Sequence, residues 1–150
     1  MSYIVSIDLG GTTFSFVIFL NKNIIFKSNI YDIKKHNNHS DFLNKLSMLI
    51  KKEIDENKIN LIGIACPGPL NSETGEILNT PNLKILQYVN LIDEMKKYIK
   101  CEKIYIENDA NVFAIGSYNF LKNNINFNSS DILLGVTLGT GMGFGIIINN

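Results

Sequence analysis

Asp8 stands at the end of an apolar run, with Leu9 alone between it and Gly10-Gly11-Thr12-Thr13. A carboxylate there can hold a magnesium ion, directly or through water, beside phosphates cradled by open backbone N–H groups and a hydroxyl. The same residues also suit a plain hairpin in which Asp8 only satisfies local donors. Glu107-Asn108-Asp109-Ala110-Asn111 lies where a short apolar run gives way to a helical pattern. Ligands of α/β folds gather at the carboxyl ends of strands, so an acid there is a candidate for proton transfer. The alternative is a helix cap worth about 1 kcal/mol, and one residue can cap while its neighbour faces a cleft. Cys66-Pro67-Gly68-Pro69 forms a stiff turn after another strand, with Gly68 able to offer backbone groups to a small polar ligand; a stiff loop alone explains it too. Val136-Thr137-Leu138-Gly139-Thr140-Gly141 then repeats the first glycine–threonine tip. Two such tips suggest phosphates held between two related lobes.

Strands predicted at 3–9, 14–20 and 23–31 supply the first tip, with a turn at Asn21-Lys22-Asn23. Lys34 to His39 reads as loop, with His36 and His39 solvated. Ser40 is a suitable N-cap for a helix whose stripe is Phe42, Leu43, Leu46, Leu49, Ile50 and Ile54. A strand at 61–65 leads to the proline turn, and 71–84 reads as a structured loop. Asn90 can cap a second helix with Leu91, Ile92, Met95 and Ile99 inward. A strand at 103–106 and a helix at 109–121, with Phe113, Gly116 and Phe120 on one face, complete a β-β-β-α-β-α-β-α order. Three antiparallel strands followed by alternating helix and strand is the α/β pattern of an actin/hexokinase-like (ribonuclease-H-like) lobe. We expect residues 1–122 to form that lobe, 123–130 a hinge or linker, and 131–150, with strands at 132–138 and 144–148, the start of a second lobe.

Composition narrows the classes. The formal net charge is zero and nothing favours nucleic acid or membrane partners. All 14 basic residues are lysine, so no arginine finger or bidentate arginine clamp can come from this chain. Cys66 and Cys101 fit neither a zinc spacing nor a disulfide framework, which points to a reducing cytoplasm. Cys66 reads as a small packing residue with no histidine near it in sequence. Met1 leads directly into a strand, so neither a signal peptide nor a membrane helix is expected.

These blocks together resemble the ROK sugar kinases, the group of bacterial glucokinases, fructokinases, N-acetylmannosamine kinases and related repressors. The resemblance rests on Ile7 to Thr12; Gly63 to Pro69 with Gly75 and Thr80-Pro81-Asn82-Leu83; Glu107 to Asn111; and Thr137 to Gly143, in the family's order. It implies ATP and Mg2+ as cofactors and a hexose or N-acetylhexosamine as substrate. It further implies Asp109 as the catalytic base toward a sugar hydroxyl, and Gly68, Asn82 and Asn108 with Asp109 in the sugar pocket. Asp8, Gly10, Gly11, Thr12 and Thr13 would form the first phosphate loop, with Asp8 holding magnesium through the phosphates; Gly139, Thr140 and Gly141 would form the second. A homodimer is implied for the complete protein. Thr13 stands where many relatives carry lysine, and Gly116-Ser117 where an acid often follows glycine. The family's Glu-x-Gly-His ligands and structural zinc motif are absent from these 150 residues, so the chain is expected to be truncated and inactive alone. Only seven residues precede Asp8, which speaks against a DNA-binding repressor. A non-catalytic sugar-sensing or interaction module is the alternative, and another actin-like ATPase a more distant one.

Overall fold

The computed structural model describes residues 3–124, 131–139 and 141–148. β1 (Tyr3–Leu9), β2 (Thr13–Leu20), β3 (Asn23–Lys27) and β4 (Tyr31–Asp32) are antiparallel neighbours. After α1 (His39–Glu53), β5 (Ile59–Cys66) runs parallel to β1. The short pair β6 (Leu70–Asn71) and β7 (Glu76–Ile77) and the helix α2 (Leu91–Tyr98) precede β8 (Lys103–Asn108), which runs parallel to β5. The sheet order is β3-β2-β1-β5-β8, with β4 beside β3 on the same edge of β2. α3 (Asp109–Asn124) follows β8 without a gap, and β9 (Leu133–Leu138) with β10 (Met142–Ile147) forms a separate two-stranded sheet.

Period-two alternation puts Val5, Ile7, Leu9, Phe14, Phe16, Ile18, Ile62, Ile64, Ile104 and Ile106 in one core. Phe42, Leu43, Leu46 and Ile50 of α1 and Leu91 and Met95 of α2 bury themselves in the same core. Each such side chain contributes on the order of 2 kcal/mol of transfer free energy. Phe14 meets Phe42 edge-on with ring centroids 5.2 Å apart, tying β2 to α1.

Several expected boundaries move, each for a local reason. The predicted 23–31 strand breaks at Ser28, whose hydroxyl accepts from Phe16 N at 2.9 Å and donates to Asn29 O. That side chain takes a ladder position, and pairing resumes only at β4. Asn38, not Ser40, caps α1: its Oδ1 accepts from Asp41 N at 2.9 Å, and Ser40 lies inside the helix. The stretch read as a 34–39 loop opens with a 3-10 turn at Ile33–Lys35. His36 is half-buried rather than solvated, because its ring packs near Phe42 and its Nδ1 lies 3.1 Å from the Asp41 carboxylate. Asn90 does cap α2, accepting from Asp93 N at 3.0 Å. Residues 123 and 124 belong to α3, and the rest of the expected linker lies outside the described residues.

The 71–84 segment is structured by β6 and β7. Gly75 turns between them at φ +82°, a left-handed conformation, and a Cβ there would also lie 2.6 Å from Ile92 of α2. The β9–β10 pair lies on α3 through its own glycines. A Cβ at Gly135 would come 3.0 Å from Ala114 Cβ, and one at Gly143 2.9 Å from Ala110 Cβ. Phe113, Gly116 and Phe120 do share a face of α3, but that face is exposed, because Ala110 and Ala114 are the buried positions of this helix. Among the described residues no helix is long and apolar enough to cross a membrane.

Candidate functional site

The first tip forms where β1 meets β2. Asp8 pairs with Ser15 and Leu9 with Phe14, and Gly10 N donates to Thr13 O at 2.7 Å. Asp8 alternates with the buried Ile7 and Leu9 and so projects on the sheet's uncovered face. Gly11 is set by a close approach: a Cβ there would sit 2.8 Å from Asn82 O and 3.1 Å from Asn82 Cβ. The tip therefore rests against the backbone of the Thr80-Pro81-Asn82 turn. Gln87 fixes that turn by donating from Nε2 to Asn79 Oδ1 at 3.0 Å and Thr80 O at 2.7 Å.

β5 ends at Cys66 and delivers Pro67-Gly68-Pro69, with a cis Gly68–Pro69 peptide. A Cβ on Gly68 would lie 3.0 Å from Asn108 Nδ2, so glycine admits the Asn108 amide. Asn108 itself ends β8 and caps α3, its Oδ1 accepting from Ala110 N at 3.0 Å and Asn111 N at 3.4 Å. Glu107 braces the junction, its Oε1 accepting from Asn108 N at 2.7 Å and Asn111 Nδ2 at 3.0 Å. Asp109 starts the helix and is half-buried. Capping and cleft-lining are thus divided within one short segment, and Asn108 does both.

These pieces meet. Gly10, Gly11, Gly68, Asn82, Asn108, Asp109, Gly139 and Gly141 all line one cavity of about 520 Å³. Pro67, Pro69, Thr137, Leu138, Met142 and Gly143 complete its wall. Thr12 does not line it but lines a second cavity that Gly11 and Asn82 also line. Thr13 is exposed and pairs with Asp32 across the β2–β4 ladder, contributing its backbone to the tip rather than a side chain to the cleft. Thr140 lies outside the described residues; its neighbours Gly139 and Gly141 are joined by a 2.9 Å bond from Gly139 N to Gly141 O.

Asp8 does not itself line the cavity but feels Asp109. Partial burial first, and then the Asp109 charge, raise the Asp8 pKa above the ordinary carboxylate value. Burial, with a further push from Asp109, moves the Cys66 thiol up to about 12. Cys66 is fully buried and protonated, a packing residue and not a nucleophile. Among the described residues no three His, Cys, Asp or Glu side chains cluster as a protein-only metal cage. A pair of carboxylates is nonetheless the donor set that magnesium takes when phosphates supply further oxygens. Two bracing residues, Glu107 and Gln87, had no assigned role from sequence. Glu107 sits inside a recognised block, whereas only the folded turn reveals the Gln87 bonds.

The sheet order, the strand-end cleft and the glycine tips define an actin/hexokinase-like lobe. The ROK family model matches residues 4–150, and the chain belongs to the ROK family. It is 31% identical over 144 residues to a glucokinase of Thermotoga maritima, covering 96% of this chain and 44% of that protein. It is 31% identical over 143 residues to an N-acetyl-D-glucosamine kinase of Histophilus somni, covering 95% of this chain and 45% of the relative. A ROK family glucokinase from Streptomyces griseus, solved with glucose and AMPPNP, superposes with a TM-score of 0.77 at 23% identity, over 99% of this chain and 45% of that one. The chain thus spans less than half the length of these two relatives.

Proposed function

We propose that this chain supplies one lobe of an ATP-dependent hexose kinase, transferring the γ-phosphate of ATP to a sugar hydroxyl. The observation that carries this reading is the convergence of the Gly10-Gly11 tip, Gly68, Asn82, Asn108, Asp109 and the Gly139–Gly141 tip on one cavity. In this reading Asp109 accepts the proton of the attacking hydroxyl, and Gly68, Asn82 and Asn108 orient the sugar. The two glycine tips align the phosphates through backbone donors, and alignment with charge neutralisation is most of what phosphoryl transfer needs. Residues 131–150 begin the second lobe, and closure of the lobes excludes water.

Asp8 is the residue to hold magnesium through the phosphates. Burial first, and the Asp109 charge second, make an ionised Asp8 costly, and a cation bound there would offset that cost. Magnesium, when bound, neutralises charge developing on the transferred phosphoryl group. The similarity to a glucokinase and an N-acetyl-D-glucosamine kinase supports glucose or an N-acetylhexosamine as substrate. Activity belongs in this reading to a protein carrying both lobes.

The decisive measurement is hexose-dependent ADP release by the whole protein and by its Asp109→Asn variant. Loss of roughly 10²–10⁴-fold in kcat is expected for removal of a general base. Full activity of the variant overturns the assignment. A second reading, a non-catalytic sugar-sensing or interaction module, is favoured by the exposed apolar face of β9–β10. Sugar binding without any sugar-dependent ADP release would select it.

A further inference from the structure

The contact between Gly11 and Asn82 is a partition with a cavity on each side. Gly11 and Asn82 line both cavities. The charges of the two spaces are opposite. Among the described residues Asp109 is the one charged side chain lining the first, with Asp8 close by. The second, of about 540 Å³, is lined by Lys34, Lys84 and His36 and, among the described residues, by no carboxylate. Ile33, Pro81, Leu83 and Ile85 give it an apolar floor, while Thr12 and Asn37 add neutral hydrogen-bonding groups.

Both lysines are exposed, and neither forms an ion pair with a described carboxylate. The nearby acids are occupied in building the turn. Asp32 Oδ1 accepts from Lys34 N at 2.8 Å, and Asp41 Oδ2 holds His36 Nδ1 at 3.1 Å and accepts from Asn37 N at 3.3 Å. That bond fixes the His36 ring and leaves Nε2 as its remaining polar atom. In a chain without arginine, lysine is the only permanently charged cation available for anion recognition. Two lysines, an imidazole, a hydroxyl and an amide around a space larger than one phosphate suit a multi-oxygen dianion better than a flat carboxylate.

We propose that this second cavity is a phosphate site, distinct from the acidic cleft, that takes the phosphoryl group of an inorganic polyphosphate or of a phosphorylated sugar. Lys34 and Lys84 supply the charge, and Thr12 ties the site to the same tip whose glycines line the cleft. The site stands on its own lining residues and does not depend on the kinase reading.

The test is a titration of the chain with pyrophosphate and, separately, with glucose 6-phosphate, both without magnesium, followed by amide NMR. Saturable one-to-one binding with shifts at Lys34, His36 and Lys84 is expected. Tighter binding of pyrophosphate identifies a polyphosphate chain as the occupant; tighter binding of the sugar phosphate identifies the other source. The Lys34→Gln/Lys84→Gln double variant should weaken binding by about tenfold or more, the scale of lost charge-assisted contacts. Lys45→Gln removes a charge elsewhere and should leave binding unchanged. Lysines this exposed are dispensable for folding, so the variants remain interpretable. Absence of saturable binding overturns the proposal. So does binding that ignores the double variant but strengthens in Asp8→Asn, since that anion sits in the acidic cleft. Loss of hexose kinase activity in the whole protein would leave the titration untouched.

Discussion

The β1–β2 hairpin and the β9–β10 hairpin are built from nearly the same words and end in opposite surroundings. Leu9 and Leu138 stand at matched places immediately before their glycines, yet Leu9 is 1% exposed and Leu138 77%. In the first hairpin the inward row Ile7, Leu9, Phe14, Phe16 and Ile18 is sealed by α1. The second hairpin presents glycines to α3 and turns Leu134, Val136, Phe144 and Ile146 to the outside. The tips differ as well. Four residues separate Leu9 from its partner Phe14, and three separate Leu138 from Met142. Thr137 occupies the place that corresponds to Asp8, so the first tip brings a carboxylate and the second a hydroxyl. A strand pattern specifies a hairpin and its register; what covers its two faces is decided by elements far away in sequence.

The contrast is sharpest in the core. Phe16→Ala should destabilise the chain by about 3–5 kcal/mol in urea melts, whereas Phe144→Ala should stay within about 0.5 kcal/mol. Equal costs would erase the distinction between the hairpins. Next in size is Gly145→Ala, because a Cβ there collides with Ala110 O and comes 2.8 Å from Ala114 Cβ. A cost of about 1–3 kcal/mol is expected, seen as faster amide exchange in β9 and β10 while β1 and β2 stay protected. Uniform acceleration across both hairpins would show that they melt together.

The tips are separated by a pH experiment. Asp8 has a folded-state pKa above its ordinary value of 3.8, so ionising it costs more in the folded chain than in the unfolded one. Asp8→Asn should therefore raise the melting temperature at neutral pH, and the gain should vanish once pH falls below 3.8. Thr137→Val should show no such pH dependence. The smallest effect is expected at the β2–β3 turn, where Asn21 and Lys22 have φ of 49° and 70°. Lys22→Gly suits that turn and should add up to about 1 kcal/mol, measured by thermal melts.

Much of this was legible before any coordinates. β1 matches its expected span, and Asn90 capped α2 as expected because an N-cap is a local bond between near neighbours. Local competition defeated two other readings. Ser28 took a ladder bond through its side chain, and Asn38 offered a better-placed cap than Ser40. In the site, strand-end logic pointed to Gly68 and Asp109, which lie just past apolar runs and line the cavity, and to Asp8, which lies within β1 and does not line it. The Gly11–Asn82 contact was not legible, because it joins a hairpin tip to a turn some 70 residues away, as 11 and 82 are numbered in the sequence. The basic cavity was hidden for the same reason: Lys34 and Lys84 meet only in the fold, coming from segments some 50 residues apart as they are numbered in the sequence.

The exposed face of β9–β10 has a consequence for how the chain is made. Every residue of the main core cluster lies between Val5 and Ile106. A ribosome delivers those residues first, and N-terminal units can fold while the rest is still being synthesised. The lobe can thus close before Leu134, Val136, Phe144 and Ile146 emerge from the exit tunnel. The order of translation keeps this exposed apolar surface away from an unfinished core.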